Sequence, residues 1–207
     1  MNIHFSRNYF HSKYQKYSFE VLSNMIKLDE NCDLKKMLNR FSENRKRCKE
    51  DKDATMTLVY KKAYPGHHMR TSEQEVFVVA NDEKRILHHV RPGKDKNFKV
   101  PLEVFESDDT INLKFDLMDT GIAICSQAVP PLFADNFDCQ TLDEFIKGTI
   151  QNDLTNNTLH LFELGDDCYA SRIINFHTYF AAQHDVLHRW LHPIVPEMTS
   201  GKHLYSL

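Results

Sequence analysis

From Asp33 onward, Leu34, Met37, Leu38 and Phe41 recur at i, i+3, i+4 and i+7, a spacing that predicts a helix with one buried stripe. The mixed-charge run Glu43 to Asp53 reads as the solvated end of that helix and its loop. Three short runs follow, Ala54 to Tyr60, Glu75 to Ala80 and Arg85 to Val90, all rich in β-branched and aromatic residues. Punctuated by Pro65-Gly66, Asn81-Asp82 and Pro92-Gly93, they predict strands. Ile111, Leu113, Phe115 and Leu117 alternate with Asn112, Lys114, Asp116 and Met118, which predicts a strand with the first set buried. Gly121 to Cys125 reads as a separate interior strand. Thr141 and Glu144 have the spacing of a capping box and open a helix with Leu142, Phe145, Ile146 and Ile150 on its apolar face. Strands at Thr158 to Leu164 and Cys168 to Ile174 flank the turn Gly165-Asp166-Asp167. A helix from about Thr178 to Leu191 ends before Pro193, with Val186, Leu187 and Trp190 as its expected buried side. The sum is a mixed α/β chain.

Composition narrows the classes of function. The chain has 207 residues, 41% hydrophobic and 27% charged, as a globular domain would. A formal net charge of -3 gives no overall attraction to nucleic acid or anionic lipid. Cys32, Cys48, Cys125, Cys139 and Cys168 lie far apart without a C-x-x-C pair, so neither a disulfide framework nor a zinc knuckle is predicted. A reducing cytosol fits that usage. No apolar run approaches the about 20 residues that span a bilayer.

Catalytic signatures are missing from the sequence: there is no G-x-G-x-x-G, no G-x-x-x-x-G-K-[ST], no H-E-x-x-H and no G-x-S-x-G. His184, His188 and His192 recur every four residues on the last helix and would share a face, but the expected buried side turns them to solvent. The doublets His67-His68 and His88-His89, read as strand residues, point to opposite faces and cannot converge on one ion. Cys125 before Ser126 reads as a small buried thiol. Asp108-Asp109 and Asp166-Asp167 read as turn residues.

One segment is more specific. Leu132-Phe133-Ala134-Asp135-Asn136-Phe137-Asp138-Cys139-Gln140-Thr141 is followed by Asp143, Phe145 and Gly148; then come Tyr169-Ala170-Ser171-Arg172, Asn175-Phe176-His177 with Tyr179, and Arg189 through Glu197. In this order, Phe115 to Glu197 resembles the later part of the nucleotidyltransferase-like domain of the epsilon subunits of eukaryotic translation initiation factor two-B. Cys139 stands where that family usually has tyrosine. Asn31 to Tyr60 and Val76 to Val90 match more loosely, so the resemblance covers about Asn31 to Tyr205.

The resemblance implies an α/β fold: an incomplete nucleotide-diphospho-sugar transferase-like, Rossmann-like mixed sheet with flanking helices, its first β-α-β half missing. It divides the chain into a poorly matched segment 1–30, a partial nucleotidyltransferase-like domain 31–197 and a linker start 198–207. The implied function is a binding and assembly module that contributes to GDP/GTP exchange on initiation factor two. The implied partners are the gamma and other subunits of initiation factor two-B and initiation factor two itself, in the cytosol, with no direct nucleic acid or membrane and no cofactor or metal. Asn136 and Phe137 match an Asn-Phe pair of the family's exchange surface and are the expected partner-binding residues. The competing reading packs Phe137 inward and makes Asn136 a turn residue.

Sugar nucleotidyltransferases are the alternative class. Val90-Arg91-Pro92 falls where their active members carry Glu-Lys-Pro, and Arg172-Ile173-Ile174-Asn175 falls near their Asp-Ile-Gly-Thr. With those acids replaced, and with no counterpart here to the family's C-terminal exchange domain, the expectation is a non-catalytic chain and not an enzyme.

Overall fold

The computed structural model describes residues 18–21, 24–27, 33–47, 53–92, 99–106, 109–135, 139, 141–151, 157–166 and 168–191. Its elements are β1 (Ser18–Val21), β2 (Asn24–Lys27), α1 (Asp33–Arg47), β3 (Asp53–Lys62), β4 (Glu75–Asn81), β5 (Ile86–Val90), a short 3-10 turn (Leu102–Phe105), β6 (Ile111–Cys125), α2 (Val129–Asp135), α3 (Leu142–Gln151), β7 (Asn157–Leu164), β8 (Tyr169–Arg172) and α4 (Phe176–Leu187).

Five strands run in the order β5-β4-β6-β3-β7, with β1 joining as a further partner of β6; β2 and β8 form a separate ribbon. Both β1 and β2 fall inside the segment 1–30. β3 pairs parallel with β7 and antiparallel with β6, so the sheet is mixed and the fold class is α/β, consistent with a nucleotidyltransferase-like fold. Its central position explains why β3 is buried without a break from Ala54 to Tyr60, since a strand covered on both faces has no polar side to present.

One face of the sheet, with Met56, Leu58, Tyr60, Val78, Leu117 and Leu161, packs against Phe145 and Ile146 of α3. The Phe145 ring stacks on Phe133 of α2 at 5.0 Å. The predicted capping box is present: Thr141 N–H donates to Glu144 Oε2 at 3.0 Å and Glu144 N–H to Thr141 Oγ1 at 3.3 Å.

Three expectations are corrected. Residues 111–125 form one strand and not two. Its register against β3 jumps from Val59↔Ile122 to Tyr60↔Asp119, leaving Thr120 and Gly121 as extra residues. Gly121 has φ +69°, a conformation that a side chain would strain, so the glycine that ends the alternating pattern is a bulge within a continuous strand. On the N-terminal half of β6 the expected buried set is not buried: Ile111 is half-buried, Leu113 is 50% and Phe115 64% exposed, and burial begins at Leu117.

Helix α4 is the third. Its buried stripe is Thr178, Ala181, Ala182 and Asp185, while Leu187 and Trp190 are exposed and Val186 is half-buried. The helix starts two residues earlier than predicted because Asn175 caps it, accepting from Thr178 N–H at 2.9 Å. Small residues let α4 lie close to Met118, Ala63 and Met69. Periodicity places a stripe on a helix, but which stripe faces inward depends on the space beneath it.

Candidate functional site

The segment carrying Asn136 and Phe137 is bracketed by described structure. On one side α2 puts Leu132 and Phe133 on the core; on the other, Cys139 packs against the same core and Thr141 caps α3. Asn136 and Phe137 themselves lie outside the described residues.

A partly buried ionic cluster sits beside the start of α3, and its members come from four elements or their ends. Asp119 stands at the β6 bulge. Its Oδ2 accepts from Arg91 Nη2 at 2.6 Å and Arg172 Nη1 at 2.7 Å, and its Oδ1 from Gly121 N–H at 2.8 Å. Arg91, just after β5, also brings Nε to 2.6 Å from Asp143 Oδ2 in the first turn of α3. Gln74 ties the cluster down: Gln74 Nε2 donates to Arg172 O at 2.6 Å and Asp119 N–H donates to Gln74 O at 3.1 Å. Burial alone would raise the Asp119 carboxyl, but the Arg91 guanidinium, the Gly121 N–H and Arg172 outweigh it and hold the group below the ordinary carboxylate range.

Two neutral groups line this cluster. Tyr60 is buried, and burial followed by the Asp119 charge pushes its phenol well above its ordinary range. His89, 2% exposed, has its ring 6.4 Å from that of Tyr60, and its Nδ1 has no hydrogen-bond partner among the described residues. Desolvation lowers its pKa to about 4 against the pull of Asp143, so the imidazole is neutral near pH 7.

Arg91 and Arg172 are the two positions at which sequence placed cations where sugar nucleotidyltransferases carry Glu-Lys-Pro and Asp-Ile-Gly-Thr. Both guanidiniums are engaged by carboxylates of the chain itself, Arg91 by Asp119 and Asp143 and Arg172 by Asp119, an arrangement that binds segments together. The sequence reading missed Asp119 and Asp143 as partners. The one available signal was Gly121 shortly after an acid in an apolar strand.

A second polar group links α4 to the turn after β3. Asp185, 3% exposed, has both carboxylate oxygens 2.9 Å from His68 Nε2 and accepts from Tyr169 OH at 2.9 Å. His67 and His68 lie in a turn and not a strand, and their rings stack at 4.6 Å, so the argument from opposite strand faces does not apply to them. It does hold for His88 and His89 in β5, where His89 is buried and His88 half-buried. His184 and His188 are exposed and stack at 3.8 Å; His192 lies outside the described residues. Among the described residues no three His, Cys, Asp or Glu side chains are grouped to hold a metal ion. Nor is any described helix long and apolar enough to cross a membrane.

No family model matches the chain. Fold and site define an α/β domain on a mixed sheet whose central charges are spent on one another. The chain is 35% identical over 160 residues, 76% of its length, to the translation initiation factor eIF2B subunit epsilon of Schizosaccharomyces pombe. It is 31% identical over 182 residues, 87% of its length, to that of Dictyostelium discoideum. By sequence it belongs to the family of eIF2B epsilon subunits, and it spans 24% of the length of each of these relatives.

These matches correct one expectation. The proteins matched are epsilon subunits of a guanine nucleotide exchange factor, a catalytic role, so the reading as a non-enzyme does not stand. That reading rested on the replaced transferase acids and on the missing counterpart of the family's exchange domain, beside the absence of catalytic signatures. Nucleotide exchange makes and breaks no covalent bond; it is driven by differential binding, which requires none of those motifs.

Proposed function

We propose that this chain acts within an eIF2B-type exchange factor, pairing with the gamma subunit and presenting a docking surface to initiation factor two during GDP/GTP exchange in the cytosol. Similarity to epsilon subunits across three quarters or more of the chain supports this reading above any other observation. The working unit is residues 31–197, with 1–30 and 198–207 flanking it. The surface is assigned to Asn136 and Phe137, an amide beside an aromatic between two anchored flanks, a pairing suited to an interface anchor.

The test is Asn136→Ala with Phe137→Ala in the assembled exchange factor, following release of a fluorescent GDP analogue from initiation factor two. The expected result is exchange slowed at least tenfold, the consequence of losing about 1.4 kcal/mol or more of binding energy at the interface. The unfolding midpoint of the isolated chain should stay unchanged. Unaltered exchange and assembly would remove the assignment; a lowered midpoint would show instead that Phe137 packs inward.

A further inference from the structure

The Arg91 guanidinium is held from three directions by three segments. Nη2 donates to Asp119 Oδ2 at the β6 bulge at 2.6 Å, Nη1 donates to the Glu73 carbonyl just ahead of β4 at 3.1 Å, and Nε stands 2.6 Å from Asp143 Oδ2 in the first turn of α3. A planar guanidinium presents its donors in a rigid fork, so three fixed acceptors set its orientation as well as its distance from each. Asp119 is in the sheet and Glu73 leads into it; Arg91 is therefore a stiff arm from the sheet to α3.

Helix α3 has what it needs to form without that arm. Thr141 and Glu144 cap it, Phe145 and Ile146 are buried, and a carboxylate in the first turn is favourable to the helix dipole by itself. Phe145 and Ile146 lie about one turn in from the helix start, so their burial leaves the first turn free to swing about them. Arg91 removes that freedom at Asp143, whose Oδ1 has no hydrogen-bond partner among the described residues. The Arg91 side chain is 22% exposed and that of Asp143 34%, so water screens the pair and its effect on stability is small beside the burial of two large side chains.

We propose that Arg91 is a positioning residue for docking: through Asp143 it fixes the direction of the first turn of α3, and with it the presentation of the surface assigned above to Asn136 and Phe137. The inference rests on that assignment. The test uses the assembled exchange factor carrying Arg91→Lys, Asp143→Asn, both together, or Asp143→Glu, with GDP-analogue release followed against the concentration of initiation factor two. Lysine keeps the charge without the fork, asparagine keeps the shape without the charge, and glutamate keeps the carboxylate. Each of the first two variants is expected to raise the concentration for half-maximal exchange by about three- to tenfold while the limiting rate stays within about twofold. The double variant should be no worse than either single one, and Asp143→Glu should recover much of the loss. Subunit assembly should match the parent throughout.

A loss in Asp143→Asn with none in Arg91→Lys would mean that Asp143 touches the partner directly, and losses that add in the double variant would mean two independent roles; either result overturns the proposal. So does parental concentration dependence in both single variants. Asn136→Ala with Phe137→Ala is measured alongside. If that pair slows exchange and the Arg91 and Asp143 variants do not, the surface assignment stands and the positioning role falls; if that pair has no effect, the assignment falls and takes this inference with it.

Discussion

Asp119 is the residue on which most of the cluster depends. It accepts from two guanidiniums and a backbone N–H, and its side chain is 12% exposed while those of Arg91 and Arg172 are 22% and 33%. Removing one partner of a buried ion pair costs several kcal/mol because the remaining charge loses its counter-ion without regaining full hydration; the partial exposure of both arginines moderates this. Asp119→Ala is therefore expected to destabilise the chain by about 2–3 kcal/mol in urea denaturation. Arg172→Ala, which leaves Arg91 in place, should cost less. Sequence exposed both arginines as departures from the sugar-transferase pattern. It could not expose their partner, because Asp119 lies 28 residues from Arg91 and 53 from Arg172 and reads locally as one polar residue in a strand.

At the scale of elements, local rules worked where local forces decide. The Thr141 and Glu144 capping box is an interaction between residues three apart and was fully legible. Thr141→Ala is expected to cost about 1 kcal/mol, seen as a lowered denaturation midpoint, because it leaves the Glu144 N–H without its acceptor at the helix end. The bulge in β6 was only half legible. Gly121 marked an interruption, but whether an interruption ends a strand or kinks it is decided by whether β3 continues beside it, and β3 does so from Met56 to Lys62. Helix α4 was legible in its existence, but it runs from Phe176 to Leu187 where about Thr178 to Leu191 was expected, and its orientation was wrong. A 3.6-residue period favours burying the largest apolar stripe, yet the gap over Met118 and Ala63 admits only the alanine stripe.

For the whole molecule, the acid limit of stability follows from the histidine beneath the cluster. The folded-state pKa of His89 is lowered to about 4 from an ordinary 6.5, so the unfolded chain binds the proton more readily than the folded one. Stability is thus complete above about pH 6.5 and falls as pH drops from there toward about 4, by up to about 3 kcal/mol. The shift at Asp119 is also downward. Its contribution is present above the ordinary carboxylate range and is lost as pH falls through the lower folded value, a more acid window than that of His89. Denaturation midpoints at pH 7.5 and 5 should differ for the parent and differ less for His89→Gln; equal losses in both would show that His89 does not set the limit.

The sequence by itself determined most of the strands and three of the helices, the α/β class, the Thr141 cap and the ordered motifs that tie the chain to the epsilon subunits, because each rests on residues near one another along the chain. Only the tertiary structure decided which charges meet at Asp119, that His68 reaches Asp185 across 117 residues, and that the aromatic side of α4 faces out. Those outcomes depend on strand register and on the room left between packed layers, quantities to which no local pattern of polar and apolar residues corresponds.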